Sequence, residues 1–198
     1  MDGAIAAARI GPNAVTRLAE AAREVLPGEE VLALFEEAGL AHRLANPPHR
    51  MVEEREVTRL HAVLRRRVGV PVARLLGAEA GRRTADYLLA HRIPRPLQGL
   101  LRLLPARLAA RVLLGAVTRH AWTFAGSGRF SVDTGRPVRV VLEGCPLCRG
   151  AASGQPLCDF YAAAFSRLFR ALVSRRTRVA QTGCAAMGDP ACTFELRW

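Results

Sequence analysis

The chain has 198 residues, half of them hydrophobic, which is enough to bury a core and excludes a wholly disordered protein. Its formal net charge of +12 comes from arginine alone, because the sequence contains no lysine. Such a complete bias is typical of skewed base composition, so we expect no nucleic-acid partner. The arginine doublets and triplets would still favour acidic partners, anionic lipid or carboxylated ligands.

The N-terminus lacks the features of a secretory signal. Asp2 is acidic, and no basic segment followed by an apolar run occurs in the first fifteen residues. No apolar stretch approaches the roughly 18 residues of a membrane-spanning helix. We therefore expect a cytoplasmic protein, with peripheral contact to a membrane left open.

The first two thirds of the chain are predicted to be helical. Asn13 precedes an apolar pattern over residues 14–26 and could cap that helix, and a shorter helix follows over 29–38. Longer helices are expected over 52–67 and from Pro71 to about His91. Pro105 divides the leucine-rich segment 97–124 into two helices, which could dock on a sheet or lie on a membrane surface.

After residue 126 the pattern changes to short strands. It predicts a hairpin of strands 129–133 and 138–142, a helix over 157–173, and two final strands over 177–182 and 191–197. This order predicts an α+β fold, with several helices packed on one face of a small four-stranded antiparallel sheet. We expect one domain over 1–198, made of a mainly helical part, 1–125, and a hairpin-helix-hairpin part, 126–198.

All five cysteines lie in the second part. Cys145 and Cys148 form a C-x2-C pair, Cys158 stands near a helix start, and Cys184 and Cys192 flank the last turn. In a protein without an export signal, such a set indicates metal or redox chemistry before structural disulfides. Four thiolates suit tetrahedral zinc. A thioredoxin-like redox pair and simple burial of small hydrophobic side chains are the alternatives.

The run Gln181-Thr-Gly-Cys184-Ala-Ala-Met-Gly-Asp-Pro-Ala-Cys192, with Cys158 upstream, resembles the C-terminal signature of the 4-vinyl-reductase domain family. Segments 9–15 and 120–128 are similar to a member of that family in bacteriochlorophyll biosynthesis. The resemblance implies a zinc site on Cys158, Cys184 and Cys192, with a glutamate where this chain has Gln181. Because an amide is a poor zinc ligand, we expect the ligands Cys148, Cys158, Cys184 and Cys192, with Cys145 or Gln181 as alternatives to Cys148.

The sequence favours a structural zinc over a catalytic one. It contains neither an H-E-x-x-H motif nor the glycine-rich strand-to-helix turn of a nicotinamide or flavin site. The Gly126-Ser-Gly128 turn lies between a helix and a strand, which is the reverse order. Whether the protein is an enzyme is left open, and the absent motifs favour a protein that is not one.

The family fold implied by the resemblance encloses ligands between helices and a sheet. For a flat tetrapyrrole this chain offers apolar walls, imidazoles for magnesium and a cation for propionate groups. The predicted ligand-binding residues are Tyr87, His91, Arg92, His120, Trp122 and Phe124.

The resemblance implies an accessory protein that carries a magnesium porphyrin or chlorophyllide to enzymes of bacteriochlorophyll synthesis such as magnesium chelatase. The alternatives are a 4-vinyl or 8-vinyl (protochlorophyllide) reductase that uses an external reductant, and an interaction subunit without a pigment. Contact with the inner or photosynthetic membrane, and a homodimer, are open.

Overall fold

The computed structural model of the chain describes residues 8–198, and its helical part comes first. A two-residue antiparallel pair, β1 (Arg9–Ile10) with β2 (Val52–Glu53), joins the two ends of the first three helices. The helices before the main sheet are α1 (Asn13–Val25), α2 (Gly28–Glu37), α3 (Ala41–Ala45), α4 (Glu54–His91), α5 (Arg95–Leu103), α6 (Ala106–Arg119) and α7 (Trp122–Ala125). Within the described residues, none of the helices is both long and apolar enough to cross a membrane.

Helix α4 joins the two long helices that the sequence predicts. Its 38 residues are interrupted at Gly69, where φ is 75° and ψ is 159°. A positive φ favours glycine, and Pro71 immediately afterwards has no N–H to continue the ladder of the preceding turn. The predicted break is therefore a kink between two packed segments.

The second part carries the main sheet and one long helix. Its elements are β3 (Arg129–Asp133), β4 (Val138–Glu143), α8 (Asp159–Leu172), β5 (Arg178–Gly183) and β6 (Cys192–Arg197). The strand order is β3-β4-β6-β5, and all neighbours are antiparallel. The predicted α+β fold with a four-stranded antiparallel sheet is thus confirmed.

The sheet buries one face. In β4 the side chains of Val138, Val140 and Leu142 are buried, while those between them are more exposed. This alternation follows from the two-residue period of a strand. Phe194 of β6 continues the buried face and meets Phe165 of α8, with ring centroids 5.8 Å apart.

Helix α8 lies between the sheet and α4, and the two helices approach closely. A Cβ on Gly81 of α4 would lie 2.0 Å from the carbonyl oxygen of Phe160 in α8. Only glycine fits at such a contact. The contact fixes the N-terminal end of α8, which Cys158 immediately precedes.

Local details differ from the sequence predictions in two places. Asn13 is the first residue of α1 and not its cap, because Pro12 occupies the cap position without a side-chain hydrogen bond. The short helix α3 was not predicted, since five residues show too little periodicity to detect.

Candidate metal centre

Four cysteine thiols converge at one end of the sheet. The Sγ atoms of Cys145, Cys148, Cys158 and Cys192 all lie within 4.8 Å of one another, and all four residues are buried. The Sγ atoms are 3.4 Å apart for Cys145 and Cys158, 3.4 Å for Cys148 and Cys192, and 3.5 Å for Cys158 and Cys192.

These separations fit a tetrahedral thiolate site. With a zinc–sulfur bond of about 2.3 Å, the edge of a regular tetrahedron of sulfur atoms is about 3.8 Å. A disulfide needs a separation of about 2.05 Å. The cysteines are free thiols whose arrangement already approximates the ligand shell of a zinc ion.

Three separate elements deliver the four thiols. Cys145 and Cys148 lie on the loop after β4, which turns at Gly144 with φ at 62°. Cys158 precedes the first turn of α8, and Cys192 begins β6 opposite Leu142 of β4. The cluster therefore joins the sheet, α8 and the cysteine loop.

Three of the four predicted ligands are in this group. Cys148, Cys158 and Cys192 lie together, and Cys145 completes the set of four. Cys184 is also fully buried, but it is not in the group. Its backbone N–H donates to Oδ2 of Asp189 at 2.7 Å, which holds the turn before β6.

The alternative ligand Gln181 has another use in the structure. Its Oε1 accepts a hydrogen bond from the backbone N–H of Cys158 at 3.0 Å, and its Nε2 donates to the carbonyl of Gly183 at 3.0 Å. Both ends of the amide are thereby satisfied by backbone. Gln181 fixes the backbone at a cysteine of the cluster instead of pointing at it as a ligand.

The thiols strongly influence one another's ionisation. Hydrogen bonds from Cys145 first, and then from the other thiols, lower the pKa of Cys148. The same network, again with Cys145 first, raises the pKa of Cys158. A thiolate at Cys148 surrounded by S–H donors is the form that a metal cation would further stabilise.

One face of α4 braces the cysteine loop. Thr58 Oγ1 donates to the carbonyl of Pro146 at 2.8 Å, and Arg65 Nη1 donates to the carbonyl of Leu147 at 2.9 Å. Both carbonyls belong to the two residues between Cys145 and Cys148. The helix therefore holds the backbone between these cysteines, which orients both thiols.

The same face of α4 continues at Glu54, which is 3% exposed. Arg149, next to Cys148, forms an ion pair with this carboxylate. Ser127 donates to Glu54 from its backbone N–H and from its hydroxyl, the latter at 3.0 Å. Gly126, with φ at 60°, leaves the space that the carboxylate occupies. This buried network ties the start of α4 and the turn before β3 to the cysteine loop.

His61 completes the face and is 5% exposed. Burial, with a smaller contribution from the charge of Arg65, lowers the pKa of His61 to about 3. Its Nε2 has no protein partner among the described residues, and the side chain borders a cavity of about 10 Å³. Such a cavity is large enough for about one water molecule. His61 is a neutral imidazole at physiological pH.

The residues of this face were missed at the sequence level. Glu54, Thr58, His61 and Arg65 follow one another at spacings of four, three and four residues, which places them on one side of a helix. The apolar stripe beside them was easier to recognise. Polar residues at helical spacing within an otherwise buried helix are the signal that could have identified them.

A second cavity, of about 260 Å³, opens beside the loop after Cys148. It has a cationic rim made of Arg65, Arg66 and Arg149 and an apolar wall that includes Val70 and Leu157. Arg66 and Arg149 pair with Glu37 and Glu54, respectively. Arg65 has no carboxylate within 4.0 Å among residues 8–198.

The predicted tetrapyrrole-binding residues form two groups outside both cavities. Tyr87 and His91 stack at the end of α4 with ring centroids 4.9 Å apart, and the Arg92 guanidinium lies 6.0 Å from the Tyr87 ring. His120, Trp122 and Phe124 follow the end of α6. The assignment of these six residues to a ligand site stays a prediction.

The second group is only partly open. Trp122 is 60% exposed, while Phe124 packs edge-on against Phe130 with centroids 5.2 Å apart. The Nδ1 atom of His120 lies 2.8 Å from the carbonyl oxygen of Ala116. Because a carbonyl can only accept, Nδ1 carries the proton, and Nε2 is left with a free lone pair.

Comparison with known proteins identifies the family. Residues 138–198 match the 4-vinyl-reductase domain, which spans the last three strands of the sheet, α8 and all five cysteines. The chain is 45% identical over 98% of its length to the bacteriochlorophyll synthase 23 kDa chain of Cereibacter sphaeroides, of which it covers 93%. This chain belongs to that family. The corresponding chain of Rhodobacter capsulatus is 37% identical over 95% of this chain and 86% of the relative.

A solved structure also shows similarity at low identity. A vinyl-4-reductase family protein from Methanocaldococcus jannaschii matches with a TM-score of 0.38 and 13% identity, over 71% of this chain and 88% of that one. The family resemblance predicted from the cysteine run is confirmed by the domain match and by the two full-length relatives.

Proposed function

We propose that this protein acts in bacteriochlorophyll biosynthesis as a non-enzymatic accessory protein, which binds a magnesium porphyrin or chlorophyllide and presents it to enzymes such as magnesium chelatase. The observation that carries the proposal is the 45% identity, over nearly the whole length of both chains, to a bacteriochlorophyll synthase 23 kDa chain. Because the match covers 98% of this chain, it includes the helical part that carries the aromatic residues as well as the cysteine-containing part.

The two aromatic groups supply the contacts that a magnesium tetrapyrrole needs. Magnesium in such a pigment accepts an axial ligand, and the lone pair on Nε2 of His120 can provide it. His91 is the second candidate, since it is exposed and stacks on Tyr87. Arg92 beside Tyr87 can pair with a propionate group.

Both groups lie at the surface, which suits transfer of the pigment. A macrocycle held on exposed residues keeps one face accessible to the next enzyme. Trp122, at 60% exposed, offers a flat apolar surface for such a ligand. The cavity of about 260 Å³ is smaller than the usual range of about 300 to 1,000 Å³ for small-molecule sites, so we place the pigment elsewhere.

We further propose that the cysteine cluster binds a structural zinc ion. Cys148, Cys158 and Cys192 would each supply a thiolate, and geometry favours Cys145 over Cys184 as the fourth. A closed four-thiolate shell has no open position for water or substrate. Zinc there would fasten α8 and the final hairpin to the loop that α4 braces.

Pigment titration tests the proposed function. Magnesium protoporphyrin and protochlorophyllide are titrated into the purified chain, and binding is followed by the shift of the pigment absorption bands and by fluorescence. We expect saturable binding at micromolar concentration. His120→Ala and His91→Ala should each be compared with His49→Ala, a control in which another exposed histidine is removed.

Three outcomes would contradict the proposal or part of it. Absence of a spectral change with either pigment would favour an interaction subunit without a pigment. Conversion of divinyl protochlorophyllide to the monovinyl product with NADPH would show a reductase and not a carrier. Equal binding by wild type and both histidine variants would remove the assigned axial ligands.

A further inference from the structure

The charge of the protein is distributed unevenly. Between Asp86 and Asp133 the chain contains seven arginines and no aspartate or glutamate over 46 residues. Of these seven, only Arg129 lies within 4.0 Å of a carboxylate in the part of the chain that the structure describes. Elsewhere the molecule pairs many of its arginines, including Arg67, Arg83 and Arg149. Helices α5 and α6 therefore carry most of the uncompensated charge of this segment.

The same segment exposes apolar side chains. Of nine large hydrophobic residues exposed within residues 8–198, five lie between positions 100 and 122. Leu103 is 86% exposed and Leu100 is 54% exposed, whereas Leu108 and Val112 are each 47% exposed. Single exposed leucines are ordinary, but a concentration beside unpaired cations indicates a binding surface.

The two properties alternate in a regular way on the helices. On α5, Leu100 and Leu103 are three residues apart and so share a face, next to the side that carries Arg95. On α6, the pairs Leu108 with Val112 and Arg107 with Arg111 each have a spacing of four residues. Each helix thus has three sides: one packed on the protein, one apolar and exposed, and one cationic.

The packed side is already occupied by the fold. Leu101 of α5 is 2% exposed, and Ala109 and Leu113 of α6 are buried. Arg102 donates to the carbonyl of Ala171 at the end of α8, which fixes α5 against that helix. The exposed leucines are therefore additional to those that the core needs, and their burial must come from outside the described fold.

We propose that the exposed face of α5 and α6, defined by Leu100, Leu103, Leu108 and Val112 with Arg95, Arg107 and Arg111, binds the surface of a membrane that contains anionic lipid. Helices with an apolar side and an arginine side lie in the interface, with the leucines among the acyl chains and the guanidinium groups at the phosphates. Trp122, which is 60% exposed, adds an aromatic residue of the kind that prefers this depth.

The charge decides between a membrane and a second copy of the chain. A symmetric dimer through this face would place unpaired arginines of one copy opposite those of the other, because a two-fold interface uses the same surface twice. Like charges at an interface are repulsive. Anionic lipid supplies the opposite charge together with an apolar layer.

Vesicle co-sedimentation tests this inference without any pigment, so its result is independent of the proposed function. The full chain is mixed with vesicles of phosphatidylcholine alone or of equal parts phosphatidylcholine and phosphatidylglycerol. We expect binding to the anionic vesicles that weakens at high salt, and little binding to the neutral ones. Arg107→Gln with Arg111→Gln should weaken partitioning roughly thirty-fold, from a contribution of about tenfold or less for each arginine near the surface.

Matched controls separate the face from general charge and hydrophobicity. Arg175→Gln with Arg176→Gln removes the same charge from two exposed arginines elsewhere and should change binding only slightly. Leu103→Ser should weaken binding about tenfold or more. Leu75→Ser, at a leucine that is 71% exposed on α4, should leave binding unchanged. Far-UV circular dichroism verifies that each variant is folded.

Three results would overturn the inference: absence of binding to anionic vesicles, equal effects of the two arginine pairs, or equal effects of the two leucine changes. Analytical ultracentrifugation provides a further check. A dimer that Leu103→Ser dissociates would show that the face is an interface between copies of this chain.

Discussion

The contact between α4 and α8 predicts a large effect of a single added methyl group. In Gly81→Ala the new Cβ would lie 2.0 Å from the carbonyl oxygen of Phe160, 2.8 Å from its carbonyl carbon and 2.9 Å from its Cα. All three atoms belong to the backbone, so no side chain can rotate away. Helix α8 would have to move by more than about 1 Å before the contact reached the ordinary 3.4 Å.

Two opposing contributions set the magnitude. Alanine has a helix propensity about 1 kcal/mol better than that of glycine, which would stabilise an open helical site. Overpacking in a core costs about 1–3 kcal/mol and sometimes more. Because the obstacle at position 81 is backbone, we expect the free energy of unfolding to fall by about 3 kcal/mol, which corresponds to a decrease in Tm of roughly 6–12 °C.

Urea denaturation followed by far-UV circular dichroism measures this change, and two matched variants serve as controls. Gly99→Ala in α5 and Gly115→Ala in α6 place a Cβ where nothing lies within 4 Å, so each should gain about 0.5–1 kcal/mol. Since Cys158 precedes α8, Gly81→Ala should also bind less metal. A Gly81→Ala protein as stable as these controls would refute the close approach of the two helices.

Other changes test the surroundings of the cysteines. Glu54→Gln should lower the free energy of unfolding by about 2 kcal/mol, because it breaks a buried ion pair whose arginine is only partly screened, whereas Glu24→Gln, which removes a surface pair, should change it by less than about 1 kcal/mol in the same urea titration; equal effects would contradict the buried network. Cys145→Ser should reduce the zinc content, measured by elemental analysis, more than Cys184→Ser, and the reverse order would place Cys184 among the ligands. The pKa of His61 is lowered on folding to about 3, so the folded state binds fewer protons than the unfolded state, and stability is lost as pH falls from about 6.5 towards 3. In this window His61→Leu should reduce the slope of stability against pH by up to about 1.4 kcal/mol per pH unit, and an unchanged slope would show that the imidazole is not buried.

The sequence predicted the strands better than the metal-site detail. Strand β3 lies at its predicted bounds, and β4 and β6 differ from theirs by one residue each, because alternation and a turn signal define a short strand locally. The break in α4 was also detectable, since Gly69 and Pro71 are local signals. Pro105 likewise separates α5 from α6 as predicted.

What could not be predicted depends on contacts between distant residues. Spacing alone placed Cys145 and Cys148 together, but the position of Cys145 in the group of four follows from Thr58 and Arg65, which hold the loop from α4. These hydrogen bonds join residues more than 80 positions apart. In the same way, the unpaired arginines of α5 and α6 could not be distinguished by sequence from those that find a carboxylate elsewhere.

The most direct test of the proposed metal centre is the metal content of the full chain purified without added metal. Elemental analysis, combined with native mass spectrometry, should give about one zinc per chain, and Cys158→Ser should lose it. A structural thiolate site binds zinc tightly enough to survive purification. Less than about half an equivalent of zinc, with all five thiols reactive after mild denaturation, would contradict the assignment.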